Sequence, residues 1–296
     1  MPLDRLLAGL ILATSLACAS TPRPSTRSAA ASPDAARTQG TGDLRVMTFN
    51  IQSAVRGMDG VVETIRSASP DIVALQEVDV GSTRARGQNQ PAVMAERTGL
   101  PYHAHFRTTD LFGGAYGVAL LSRFPLLSVK QYPLPVTPGD EPRTVAHVLM
   151  NIHGQEVSIY VTHLTKRPFN ESIRTRQSVA ILKLLEQDPR PKLLMGDLNE
   201  TAQAPAVRLF TRQLMDVFAL RGQGPADTYP LPVLADLRID YVLASDRFMP
   251  RHSRVLRVNT SDHYPVVADL TLLEPLVAPA AEVVERATDA SPGSSQ

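Results

Sequence analysis

Acids, amides and histidines stand repeatedly at the ends of short apolar runs in this chain. RVMTF ends at Asn50, DIVALQ at Glu77 and VSIYVT at His163; PKLLMG ends at Asp197, with Asn199 two places on. Asp240 sits inside RIDYVL, and the pair Asp262 and His263 opens onto YPVVADL. Short runs rich in β-branched residues read as buried strands. If such strands lie side by side, their ends share one rim. Carboxylates and histidines converging there have the composition of a hydrolase site built around a hard cation. Each residue alone has a plainer reading. Asn at a strand end is common in turns, a strand-end acid can sit in solvent, and a lone histidine can be a satisfied core or surface residue. The repetition of the pattern favours the site.

The elements that must position these groups can be read in outline. LRVMTFN and DIVALQE are strands. Between them Val61, Val62, Ile65 and Ala68 recur at helical spacing, with Pro70 where a helix stops. Residues 89–99 read as a helix closed by Gly99 and Pro101. Strands follow near 102–106, 116–122, 126–132, 144–152 and 157–163. Ile173, Gln177, Ala180, Ile181 and Leu184 mark a helix over 171–187, with Gln177 on its apolar side as a buried structural amide. KLLMG is a strand and 203–214 a helix, and strands close the chain at 239–244, 254–258 and 265–272. Interleaved helices and near-continuous apolar strands predict an α/β domain with covered sheets. The close pairs 116–122/126–132 and 144–152/157–163 predict antiparallel hairpins, so the sheets are mixed.

Composition narrows the field. Net charge is +1, so no overall basic excess marks a nucleic-acid binder, although a local basic groove is compatible with it. The single cysteine, Cys18, excludes an intrachain disulfide and a cysteine-based zinc site. Residues 1–18 read as a signal segment: LLAGLILATSLA suits a signal core and is too short to span a bilayer. Its end, Leu16-Ala17-Cys18-Ala19, resembles a bacterial lipoprotein signal with Cys18 as the lipidated residue, although Ser15 departs from the usual aliphatic residue. Cleavage after Ala19 and an uncleaved anchor are the competing readings. Residues 19–43, rich in Ser, Thr, Ala and Pro, read as a disordered tether, and 276–296 as a flexible tail. The folded domain is expected over 44–275, and the chain is expected to be exported to the bacterial cell envelope, periplasm or medium.

FNIQ, LQEVD, YGVALLSRFP, THL, GDLNE, RIDYVLAS and SDHYPV, in this order and spacing, resemble the endonuclease/exonuclease/phosphatase superfamily. The resemblance spans about 44–272. It implies a four-layer α/β sandwich, two mixed β-sheets packed face to face and flanked by helices. It implies Mg²⁺, with Mn²⁺ as a substitute, held by Glu77 with Asn50 and Asp262 beside it. Asp197 would orient or deprotonate the attacking water or hold a second metal, and Asn199 would contact the phosphate. His263, paired with Asp240, and His163 would face the scissile phosphate. Arg143 matches an arginine often found in the family and Tyr116 a site hydroxyl; a structural ion pair and a strand aromatic are their alternatives.

The expected activity is divalent-metal-dependent hydrolysis of a phosphodiester or phosphomonoester by in-line attack of water, nuclease-like. No Ser or Cys nucleophile motif calls for a covalent intermediate. Two other functions compete: an exported lipid-headgroup phosphodiesterase or phosphatase, favoured by a membrane tether, and a non-catalytic surface lipoprotein, disfavoured by the intact acid and histidine set. The expected partner is a phosphate-ester substrate, nucleic acid or lipid headgroup, with the membrane engaged through Cys18; no obligate protein partner is inferred. Residues 221–236, just before Asp240, are the candidate substrate-facing loop, with a plain connector as the alternative.

Overall fold

The computed structural model describes residues 42–231 and 237–274. Residues 1–41, 232–236 and 275–296 lie outside the described residues, and with them the signal segment, Cys18, the tail and most of the tether. Strands β1 (Asp43–Asn50) and β2 (Ile72–Val80) flank helix α1 (Met58–Ala68). Helix α2 (Gln90–Thr98) leads to β3 (Tyr102–Leu111), β4 (Gly114–Ser122), β5 (Leu126–Leu134), β6 (Arg143–Ile152) and β7 (Gln155–His163). Helix α3 (Glu171–Glu186) precedes β8 (Lys192–Asp197), helix α4 (Pro205–Phe210), β9 (Met215–Asp216), helix α5 (Val217–Arg221) and β10 (Gly222–Gln223). Strands β11 (Asp240–Ala244), β12 (Phe248–Val255) and β13 (Val266–Leu272) complete the order.

These strands form two mixed sheets, ordered β10-β12-β13-β1-β2-β4-β3 and β5-β6-β7-β8-β11-β9. The core is divided in three, as a four-layer sandwich requires. Leu44, Val46, Ala74 and Leu120 of one sheet meet Val161, Met195 and Val242 of the other in a central layer. Met47, Phe49 and Leu75 point the opposite way, onto Val61, Ile65 and Met94 of α1 and α2. Tyr160, Leu194 and Leu243 back onto Ile181, Leu185 and Phe210 of α3 and α4. Strand alternation produces this division, because successive residues face opposite sides.

Several expectations change in detail. The 144–152/157–163 hairpin forms as β6 and β7. The 116–122/126–132 hairpin does not: β4 pairs with β2 and β3, whereas β5 pairs with β6 in the other sheet. Pro125 and the turn in which Phe124 N–H donates to Ser122 Oγ (2.8 Å) carry the chain across instead. The helix expected over 203–214 is one short element, α4, because the chain tightens after Phe210, whose carbonyl accepts from both Gln213 and Leu214. The strand expected at 254–258 lies at 248–255. Pro250 hides it in the sequence and is accommodated by an irregularity between Pro250 and His252.

Candidate active site

Parity and register bring the site together. In β1, β7, β8 and β11 the residues that build the central layer alternate, and the same alternation continues to Asn50, His163, Asp197 and Asp240 at the strand ends. Asp197 is the register partner of His163 on one side and of Asp240 on the other. Three chemically capable groups therefore lie in a row across the second sheet. Asn50 faces them from the first: its Nδ2 donates to Asp197 Oδ2 and to Glu77 Oε1, both at 3.2 Å.

Two backbone features are essential to this arrangement. Gly196 has φ +150, and a Cβ there would stand 1.9 Å from Thr162 O, so only glycine lets β8 approach β7 this closely beside Asp197. Glu77 has φ +55 at an irregularity between Leu75 and Val78. Simple alternation after Val73 and Leu75 would turn Glu77 toward the helices. The extra residue lets Val78 take that core position, and Glu77 reaches the rim.

The two histidines sit in opposite electrostatic settings. His263 Nδ1 lies 2.9 Å from Asp240 Oδ2, and its Nε2 lies 3.7 Å from Asp197 Oδ2. Burial lowers the His263 pKa, but Asp240 and then Asp197 outweigh it and push it up to about 10, so the ring is an imidazolium at neutral pH. Burial holds His163 well below the usual histidine value, with Arg143, His263 and Lys166 adding to the effect. His163 Nε2 is buried without a hydrogen bond, its nearest ionic neighbour being Asp197 Oδ2 at 3.4 Å. Asp197 is pushed up to about 7, by burial first and by Asp240 second; His263, the Asn199 N–H (2.9 Å to Oδ1) and Asn50 counteract part of this.

The remaining expected residues fall into place unevenly. Asn199 (φ +50) gives its Nδ2 to Leu164 O at 3.1 Å, so part of its amide holds the loop after β7. Asp262 Oδ2 accepts from Gln52 Nε2 at 3.0 Å, while Gln52 N–H donates to Asn50 Oδ1 at 3.0 Å. Asp262 thus joins the Asn50 side through Gln52, a residue of the FNIQ motif that sequence reading left without a role. Ser261 Oγ donates to Asn50 O (2.7 Å) and accepts from His263 N–H (3.2 Å), tying the histidine loop to β1. Arg143 is buried, pairs with Glu141 and keeps Nε without a partner. The Tyr116 hydroxyl is buried near Arg143, and burial together with Glu77 and Glu141 raises its pKa strongly. Arg174 is structural, bonded to Glu200 Oε1 (2.5 Å), Thr165 O and Arg167 O.

Sequence reading also missed Lys166 and Tyr229. Lys166 Nζ lies 4.0 Å from Glu77 Oε1, and the Tyr229 ring lies 4.8 Å from the His263 ring. Both line a cleft of about 490 Å³ with Arg143, Glu141 and Pro168. Tyr229 belongs to the expected substrate-facing loop 221–236, of which 232–236 are not described; the described part does reach the site.

Asp197, Asp240 and His263 offer ligand atoms all within 4.8 Å of one another, a buried group able to hold a metal ion. With charged imidazolium at His263, this trio is better fitted to holding protons. Glu77, 16% exposed, presents its carboxylate at the rim, where it accepts from Asn50 Nδ2 and lies 4.0 Å from Lys166 Nζ; a carboxylate so placed is the ligand type a hard cation takes.

A four-layer α/β sandwich whose rim gathers acids and two histidines belongs, by the family match that follows, to the hydrolases of phosphoric esters. Residues 47–263 match the Endonuclease/Exonuclease/phosphatase family, and the chain belongs to that family. An endonuclease/exonuclease/phosphatase from Beutenbergia cavernae is similar, at 28% identity and a TM-score of 0.65 over 78% of this chain and 72% of that one. The human Nocturnin catalytic domain, solved with a bound sulfate anion, shares the fold at 22% identity and TM-score 0.65, over 78% and 93% of the two chains. So does D. rerio TDP2 complexed with a single-strand DNA product, at 19% identity and TM-score 0.62, over 77% and 99%. Protein cwh43 of Schizosaccharomyces pombe is 27% identical over 134 residues, 45% of this chain but only 13% of that protein's length.

Proposed function

We propose that this chain is a divalent-metal-dependent hydrolase that cleaves phosphodiester or phosphomonoester bonds by in-line attack of water, with nucleic acid as the first substrate class to test. The observation that carries the reading is the placement of Asp197 between His163 (3.4 Å) and His263 (3.7 Å), the latter held at 2.9 Å by Asp240, at one rim with Glu77 and Asn50. Asp197, with a pKa near 7, is matched to accept the proton of an attacking water. The His263 imidazolium, braced by Asp240, stabilises negative charge on the phosphoryl oxygens and supplies a proton to the departing oxygen. His163, with Nε2 free, offers a hydrogen bond to the phosphate itself. Glu77 and Asn50, with Asp262 tied in through Gln52, would hold Mg²⁺, with Mn²⁺ as substitute. That ion supplies charge neutralisation at the phosphate. Arg143 and Tyr116 border the phosphate position as substrate-binding groups.

The TDP2 complex with a DNA product supports testing nucleic acid first. The lipid-headgroup reading depends on export and Cys18 lipidation, which remain part of the proposal; mass spectrometry of the mature N-terminus checks them. The functional experiment compares plasmid DNA, sphingomyelin and small phosphomonoesters, each with Mg²⁺, Mn²⁺ or EDTA. Metal-dependent cleavage of DNA supports the leading reading. Cleavage of sphingomyelin alone transfers it to the headgroup class, and cleavage of none under any metal contradicts both.

A further inference from the structure

The Asp240–His263 contact is made between residues of different sheets. Asp240 opens β11 in the six-stranded sheet, and His263 lies in the loop that leads into β13 of the seven-stranded one. Strand pairing therefore fixes neither their 2.9 Å separation nor the direction of the carboxylate. Asp240 Oδ1 is buried without a hydrogen bond among the described residues, so the carboxylate takes its aim from its own backbone and from His263. Pairing with Asp197 of β8 secures one flank of that backbone. On the other flank β9 pairs with β11 only at Leu243 and Ala244, and no described strand lies beside Asp240 there.

Thr228 fills this gap. It is fully buried, and its Oγ1 accepts from the backbone N–H of Ile239 (3.0 Å) and of Asp240 (3.1 Å). One hydroxyl thus supplies the acceptor that a neighbouring strand would provide. The Thr228 carbonyl accepts from the N–H of Tyr264, the residue after His263, at 2.7 Å. Its own N–H donates to Leu237 O at 2.8 Å, beside an isolated bridge in which Tyr229 and Leu237 exchange backbone hydrogen bonds of 2.9 and 3.0 Å. Thr228 is therefore anchored within its own segment and grips both members of the pair through backbone groups. The next residue adds a third contact: the Tyr229 ring lies 4.8 Å from the His263 ring, tilted by 50°. From the opposite direction Ser261 ties the same loop to β1.

We infer that Thr228 is a positioning residue, which holds Asp240 and His263 against each other across the two sheets and acts through them rather than on the substrate. The inference rests on the proposed phosphoesterase reading for its kinetic consequence and not for its geometry. The substitution Thr228→Val keeps the branched shape but leaves two buried N–H groups without their acceptor, which is costly unless the backbone moves to find another. Asp240 moves with that backbone. Thr228→Ser keeps the acceptor and removes only a methyl group.

Two readouts separate positioning from support of the fold. The first follows the ring nitrogen resonances of His263 by nuclear magnetic resonance in the intact chain in EDTA. Thr228→Val is expected to displace the signal of Nδ1, the nitrogen that faces Asp240, and Thr228→Ser to leave it at its native position. An undisplaced Nδ1 signal in Thr228→Val overturns the inference, whatever the enzyme cleaves. An equal displacement in Thr228→Ser does so too, because the hydroxyl is then not what holds the pair. A Thr228→Val chain that fails to fold assigns the hydroxyl to the fold at large and overturns the narrower role. The second readout is hydrolysis of bis-p-nitrophenyl phosphate with Mg²⁺. Thr228→Val is expected to lower kcat about ten- to a hundredfold, up to the worth of a misplacement of roughly 1 Å, with KM unchanged. Thr228→Ser should restore kcat. A raised KM at native kcat would make Thr228 a substrate contact and overturn the positioning role, as would an equal fall in kcat in both variants. A displaced Nδ1 signal in a chain that cleaves no phosphate ester would contradict the hydrolase reading and leave the hold of Thr228 on the pair standing.

Discussion

Replacing Asp240 by Asn isolates what the buried histidine pair does. The substitution keeps the shape and a hydrogen-bond acceptor for His263 Nδ1 but removes the charge 2.9 Å away. Two unit charges at close contact and an effective dielectric constant near 20 interact by about 4 kcal/mol. That corresponds to a fall in the His263 pKa of about three, since each unit is worth about 1.4 kcal/mol. In the native protein the ring is pushed up to about 10; in Asp240→Asn it titrates near 7, where burial competes with the remaining Asp197 charge. The assay is the imidazole titration followed by nuclear magnetic resonance in EDTA, together with a pH profile of phosphodiester hydrolysis. At pH 8 roughly a tenth of the variant's rings keep the proton, and kcat is expected to fall about tenfold, against the 10²- to 10⁴-fold worth of a positioned acid lost outright. Activity should recover partially toward pH 6. A variant ring that still titrates above 9, or a variant with native kcat at pH 8, refutes the assignment of His263 as an imidazolium held by Asp240.

Other consequences follow from the same geometry. The folded metal-free protein retains the His263 proton up to about pH 10, whereas the unfolded chain loses it near 6.5. The native state therefore binds more protons between these values, and stability falls as pH rises, by about 1.4 kcal/mol per unit between pH 7 and 9. Thermal unfolding in EDTA should show this fall, and Asp240→Asn should flatten it; a rising Tm over that range contradicts the linkage. Gly196→Ala forces a Cβ to 1.9 Å from Thr162 O and requires the β7–β8 contact to open. It should cost roughly 1–3 kcal/mol and lower activity by displacing Asp197; a variant with native Tm and native rate would show that the close approach is dispensable.

The strands and most of the rim were legible because apolar runs set where strands end, and alternation then fixed which side the terminal residue faced. Asn50, His163, Asp197 and Asp240 are such residues. The buried amide reading of Gln177 also agrees with the structure: its Oε1 accepts from Thr165 N–H, and its Nε2 donates to Pro135 O and Thr165 Oγ1. Glu77 stood out at the end of an apolar run, but its facing the rim depends on an extra residue in left-handed conformation that no periodicity reveals. Gln52, Lys166 and Tyr229 were missed because their roles arise between loops that meet only after the sheets pack. The exchange of β5 into the second sheet was hidden for a related reason: a short connection carries no signal of which sheet the next strand joins.

The most direct test is hydrolysis of bis-p-nitrophenyl phosphate by the purified chain with Mg²⁺ or Mn²⁺, measured beside Glu77→Ala and His263→Ala. Activity in the native protein that EDTA removes and that each substitution abolishes is the predicted result. Activity that survives both substitutions would contradict the assignment of the rim as a metal-dependent phosphoesterase site.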